Sequence, residues 1–107
     1  MTKQSRISLV NPIFNGNEKN YVTDCIDSSW ISSTGKYVDK FEEKFADFCE
    51  TRYGVTTANG TVALHLALLA LGVGQDDEVI VPTLTYIATA NAVTYCRARP
   101  IFVDSEE

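Results

Sequence analysis

An α/β fold with parallel strands is predicted by three features of the chain. Helical periodicity runs through the first half and breaks off near Tyr53. Beyond that point, short apolar or β-branched runs alternate with helix-length segments of about a dozen residues. The punctuation, Gly72-Val73-Gly74 and Pro82, falls where a helix and a strand should end. Strands separated by helices of this length form βαβ units, so the predicted architecture is two lead-in helices followed by a βαβαβ core in one domain.

Asn15, with Glu18 three residues later, resembles a capping box, and Tyr21, Val22, Cys25 and Ile26 recur on one face. The first helix is therefore expected from about Gly16 to Ser28. Small polar residues and a glycine then make Trp30 to Gly35 a loop. Val38, Phe41, Phe45 and Phe48 define the buried stripe of a second helix whose wet face carries Glu42, Glu43, Lys44 and Asp47. Tyr53 to Thr57 predicts the first strand and Asn59-Gly60-Thr61 a turn. From Thr61 a helix that is apolar nearly all round, and so must be covered on most sides, runs to the cap at Gly72-Val73-Gly74. Glu78 to Val81 is a strand stopped by Pro82, Thr85 to Cys96 a helix, and Ile101 to Val103 a third strand. Such a sheet should look unfinished, with an unpaired edge and bare apolar faces where the sequence ends at Asp104-Ser105-Glu106-Glu107.

With 107 residues, 45% hydrophobic and 21% charged, the chain suits one soluble domain. Its net charge of -5 and scattered Lys and Arg weigh against a nucleic-acid scaffold, so any phosphate must be held locally. Cys25, Cys49 and Cys96 are odd in number and lack a C-x-x-C pair, which fits reduced thiols better than a disulfide framework or zinc. Met1 to Val10 has no continuous apolar run, and Val62 to Leu71 is interrupted by His65 and too short for a bilayer. A cytoplasmic protein without a membrane partner is expected.

Ligands of open parallel sheets bind beyond the carboxyl ends of the strands, and two loops qualify, Ala58 to Thr61 and Pro82 to Tyr86. At the first, backbone N–H groups of a helix start lack partners, Gly60 admits a ligand to the backbone and Thr61 adds a hydroxyl. A phosphate would suit it. Polar residues more often make an ordinary cap, and Tyr86 is more often core than a ring-stacking platform, so residue type alone leaves both uses open. Asn59-Gly60-Thr61 also matches an N-glycosylation pattern, which is discounted without a secretory route. Gly72-Val73-Gly74 follows a helix and lacks the third glycine of a dinucleotide loop, and Gly35-Lys36 lacks the rest of a P-loop. His65 reads as a core histidine and Asp76-Asp77-Glu78 as a solvated turn, not a metal loop.

Together, Gly16-Asn17-Glu18, Trp30-Ile31-Ser32-Ser33-Thr34-Gly35, Phe41-Glu42 with Phe45-Ala46, Asn59-Gly60-Thr61-Val62-Ala63-Leu64, Asp77-Glu78-Val79-Ile80-Val81-Pro82 and Thr83-Leu84-Thr85-Tyr86 resemble the N-terminal part of the DegT/DnrJ-type sugar aminotransferases. The resemblance covers nearly the whole chain. It implies the large domain of a fold type I PLP-dependent transferase, with residues 1–107 as an incomplete N-terminal portion, and a homodimer with sites at the subunit interface. It also implies pyridoxal 5'-phosphate (PLP), its phosphate held by Gly60 and Thr61 on a turn shaped by Asn59, and its ring stacked on Tyr86. Trp30, Ser32, Ser33 and Thr34 would border the nucleotide-sugar pocket.

The implied reaction moves an amino group from glutamate to a nucleotide-linked 4-keto-6-deoxy sugar, in polysaccharide biosynthesis; a PLP-dependent sugar dehydratase shares this half of the fold. Such chemistry needs a Schiff-base lysine and an acidic partner for the ring nitrogen, both of which relatives draw from sequence further on. Here Lys3, Lys19, Lys36, Lys40 and Lys44 all precede the phosphate turn, and Arg97 and Arg99 stand where relatives tend to have small residues. The expectation is a chain that does not transaminate by itself: a shortened piece of the enzyme, or a non-catalytic remnant serving as an interaction or dimerisation module.

Overall fold

The computed structural model describes residues 8 and 10–105; Lys3, most of the N-terminal stretch from Met1 to Val10, and Glu106-Glu107 lie outside the described residues. Two compact units divide the chain, Met1–Arg52 and Tyr53–Glu107.

The first unit contains α1 (Glu18–Asp27) and α2 (Lys36–Phe48). Asn17, not Asn15, stands at the N-cap of α1, and its side chain makes no capping bond. Glu18 is the first helical residue and its carboxylate accepts from the Gly16 N–H at 2.9 Å, not from Asn15, so the expected capping box does not form. Polar and ring contacts link the two helices. The Tyr37 hydroxyl donates to Asp24 Oδ2 at 2.9 Å, Lys36 ion-pairs with the same carboxylate, and the rings of Tyr21 and Tyr37 lie 4.7 Å apart. Ala46 is the one buried side chain among the described residues of this unit. Phe41, Phe45 and Phe48 of the stripe expected to be buried on α2 remain exposed, as do Tyr21, Val22 and Ile26 on the apolar face of α1. Two helices offer no further layer to receive both stripes.

The second unit contains α3 (Gly60–Ala70), β1 (Glu78–Pro82), α4 (Ala88–Tyr95) and β2 (Arg99–Val103). β1 and β2 pair in parallel from Glu78↔Arg99 to Pro82↔Val103, with α4 as the crossover. Arg99 ion-pairs with Glu78 directly opposite, and the Thr83 N–H extends the ladder to the Val103 carbonyl at 2.9 Å. Val81 and Val93 are almost fully enclosed with Cys96 and Ala98, and Leu68, Val73 and Val79 pack against them. Ala88, Ala90 and Ala92 are buried as well.

Three expectations need correction here. Tyr53 to Thr57 forms no strand: the sheet of the described residues has two strands, and an extended run becomes a strand only through a ladder partner. α3 has no buried residue, and Leu64, Leu66, Leu69 and Leu71 stay exposed because α4 packs against only one side of it. His65 is half-buried and meets Tyr95 edge-on at 5.6 Å instead of sitting in a core.

The four helices of the described residues end alike. Ser29, Glu50, Gly72 and Arg97 take φ values of 57°, 53°, 81° and 63°. The following amide then bonds back to the third residue from each helix end: Trp30 to Cys25, Thr51 to Ala46, Val73 to Leu68 and Ala98 to Val93. This is the Schellman arrangement, and only one of the four left-handed positions holds the glycine that suits it.

Replacing Arg97 by Gly should raise the urea midpoint with the m-value unchanged, a stabilisation of about 0.5 kcal/mol, because the left-handed strain is relieved. A lowered midpoint would show that contacts of the Arg97 side chain outweigh it. Val93→Ala should cost about 2 kcal/mol in the same measurement, whereas exposed Leu71→Ala should stay within about 0.5 kcal/mol.

Candidate functional site

In the second unit, the start of α3 and the loop after β1 border one open cleft of about 630 Å³. Gly60, Thr61 and Leu64 line one wall, and Tyr86, Ala88 and Thr89 the other. The local chain explains the first wall. Asn59 is extended and its Oδ1 accepts from the Val62 N–H at 3.1 Å, while its carbonyl accepts from Ala63. The Asn59 side chain thus satisfies the Val62 donor and its carbonyl starts the helix ladder, while the N–H groups of Gly60 and Thr61 are left without an intrahelical partner at the positive end of the helix. A Cβ built on Gly60 would meet nothing within 4 Å, so the approach to those amides is clear.

Tyr86 stands just before α4 and is 79% exposed, with its carbonyl accepting from the Thr89 N–H at 3.0 Å. It is not a core residue. The Thr85 and Thr89 hydroxyls share a hydrogen bond of 2.9 Å, and the Thr83 hydroxyl donates to Asp104 at 3.3 Å. Thr89 was not singled out by its residue type; its spacing of four from Thr85, one helical turn, was the available signal.

The first unit holds a separate cavity of about 360 Å³ at the Trp30 loop. Trp30, Ser32 and Thr34 line it together with Cys25, Gly35 and Lys36, whereas Ser33 does not. The Trp30 indole N–H donates to the Thr34 carbonyl at 2.6 Å. Beside the cavity, hydrogen bonds from Lys36 and then Tyr37 hold the Asp24 carboxyl below its ordinary value. The same partner raises the Lys36 ammonium, and partial desolvation followed by the bond to Asp24 raises the Tyr37 hydroxyl.

Among the described residues, no three His, Cys, Asp or Glu side chains gather as a metal site, and no helix is long and apolar enough to cross a membrane. Cys25, Cys49 and Cys96 are free thiols.

Residues 12–107 match the model of the DegT/DnrJ/EryC1/StrS aminotransferase family. The chain belongs to this family. It is 60% identical to GDP-perosamine synthase from Escherichia coli O157:H7, over 94% of this chain and 28% of that protein. The X-ray structure of the aminotransferase from Psychrobacter cryohalolentis superposes with a TM-score of 0.81 at 36% identity, covering 89% of this chain and 24% of the other. A GDP-4-keto-6-deoxymannose-3-dehydratase solved with a trapped PLP-glutamate geminal diamine gives 0.80 at 25% identity, over 94% and 28%. The chain spans less than a third of the length of the curated relatives it matches. The α/β class expected from the sequence is that of the N-terminal part of the aminotransferase fold, apart from the strand at Tyr53.

The Asp24 contacts predict a pH profile for the first unit. The depressed carboxyl stabilises the fold above its unfolded value of 3.8, and that contribution is lost as pH falls through the folded value. The raised Lys36 acts oppositely, stabilising below 10.5 and losing its effect as pH rises through the folded value. NMR titration should therefore place Asp24 under 3.8, and Asp24→Asn should bring Lys36 down toward 10.5. An unmoved Lys36 would contradict the pairing.

Proposed function

We propose that these residues are the N-terminal part of a PLP-dependent aminotransferase resembling GDP-perosamine synthase, which moves an amino group from glutamate to a nucleotide-linked 4-keto-6-deoxy sugar. The observation that carries this reading is the cleft itself. Two open amides and a hydroxyl at the positive end of α3 face a space that no side chain of Gly60 fills, and the ring of Tyr86 stands on the other wall. That set of donors and that flat ring fit the phosphate and the pyridine of PLP. Bound there, PLP would supply the electron sink for the bond changes at the amino-bearing carbon.

In this reading Gly60 and Thr61 hold the phosphate by charge-assisted hydrogen bonds, Asn59 keeps the first turn wound, and the Tyr86 ring orients the plane of the cofactor. Trp30, Ser32 and Thr34 line the nucleotide-sugar pocket, and Ser33 belongs to the loop that carries them. No lysine follows Lys44 in these 107 residues, so the group that moves protons at the reacting carbon comes from elsewhere in the enzyme, and the chain alone binds without transaminating. The working enzyme is a cytoplasmic homodimer.

A second reading, a PLP-dependent sugar dehydratase, draws support from the match to GDP-4-keto-6-deoxymannose-3-dehydratase. The products separate the two. With PLP, glutamate and a GDP-linked 4-keto-6-deoxy sugar, mass spectrometry of the products formed by the complete enzyme should find an amino sugar; a nitrogen-free product that has lost one further oxygen from the substrate, a dideoxy sugar, would favour the dehydratase. An in-frame lysine beyond the Glu107 codon supports an enzyme of either kind, and its absence supports a non-catalytic interaction module. Thr61→Ala should weaken PLP retention by roughly tenfold to a hundredfold, the worth of one hydrogen bond to a charged group. Unchanged PLP affinity in that variant would count against the phosphate role.

A further inference from the structure

The Trp30 loop is fixed at both ends. Its first amide, the Trp30 N–H, bonds to the Cys25 carbonyl at 3.0 Å and ties the loop to α1. At the far end the Gly35 carbonyl accepts from Val38 and Asp39 at 2.9 and 3.1 Å and ties it to α2. Between these anchors, the only donor that an indole possesses is engaged internally, with the Thr34 carbonyl. Gly35 completes the closure. Its φ is +147°, and a Cβ there would lie 2.5 Å from Trp30 Nε1 and 2.6 Å from Cδ1, so the indole is seated where any side chain at position 35 would be.

Resting on the reading of this cavity as a nucleotide-sugar site, we propose that Trp30 is a positioning residue that acts on the ligand through Ser32 and Thr34. The indole has no donor left for a ligand, and Lys36 is held by Asp24. Of the short hydroxyl residues that line the cavity, Ser28 donates to the Cys25 carbonyl at 3.2 Å, and Ser32 and Thr34 on the loop itself are each able to donate and to accept toward sugar hydroxyls or diphosphate oxygens. The ring of Trp30 and the bare backbone of Gly35 set where those hydroxyls point. A side chain at 35 and an indole at 30 exclude each other, so the two residues work as one device.

The test is a double-mutant cycle read by calorimetry, with GDP-mannose titrated into the 107-residue chain and into Trp30→Phe, Ser32→Ala and the double variant. The melting midpoint of each variant is followed so that loss of fold is not counted as loss of binding. Trp30→Phe keeps a ring and removes the donor, and should weaken binding by about threefold to tenfold. Because Trp30 acts through the loop that carries Ser32, the double variant should lose less than the product of the single losses. Losses that multiply overturn the positioning role. Gly35→Ala gives an independent reading, since Trp30 is the only tryptophan in the chain and its emission reports this loop alone. It should shift that emission and weaken GDP-mannose at least as much as Trp30→Phe. Unshifted emission overturns the seating of the indole. No binding by the unaltered chain overturns the nucleotide-sugar assignment itself, and the proposal with it.

Discussion

The packing of Val93 in α4 with Val81 in β1 is the constraint on which the second unit depends. These two side chains, with Cys96 and Ala98, are the enclosed part of the core, and they fix where a strand ends and where the next helix runs. The loop between them, Thr83 to Ile87, has no freedom over its endpoints. Buried alanines along α4 leave little between that helix and its neighbours, and α3 lies against it. The consequence is chemical: the start of α3 and the residue before α4 come to border one cleft. A core of small side chains thus determines which polar groups meet a ligand.

Helix ends supply those polar groups, and the two ends of each helix are treated differently. At the carboxyl ends, Schellman closures use up the orphan carbonyls even where Ser29, Glu50 or Arg97 must adopt a left-handed backbone, at about 1 kcal/mol each. The amino end of α3 is left partly unsatisfied. The Asn59 side chain takes the Val62 donor, and the amides of Gly60 and Thr61, which border the cleft, have no intrahelical acceptor. The same economy of short connections shapes the first unit, where the closure at Ser29 delivers Trp30 directly into its loop.

Periodicity made the helices and their apolar faces legible, since spacing of three and four is written in the residues themselves. It did not say what covers those faces. Phe41, Phe45 and Phe48 form the stripe that their spacing promised, yet they are exposed, because burial depends on a neighbour that sequence pattern does not name. Tyr53 to Thr57 was misread for a related reason: β-branched composition describes a residue's fitness for a strand, while the strand exists only in its hydrogen-bond partner. The cleft was legible as two loops, of which only the one after β1 follows a strand, but Thr89 was hidden within a helix whose start lies three residues later than expected, at Ala88. The engagement of the Trp30 indole could not be read either, as nothing in the spacing from Trp30 to Gly35 reveals where the ring folds.

Three glycines show how differently one residue type can be required. Gly72 is explained by its own backbone, at φ +81° in a helix closure, and Gly35 by its backbone together with the indole lying on it. Gly60 has neither reason: its φ is ordinary for an L-residue, and an added Cβ would meet open space. Open space alone is weak support for a ligand, because Gly74 shares it in a turn whose amide is already bonded to Asp77. What distinguishes Gly60 is that its amide and that of Thr61 stand at a helix start with no intrahelical acceptor, beside an exposed tyrosine. A side chain at position 60 would cost this chain little by itself and would stand between a phosphate and those amides.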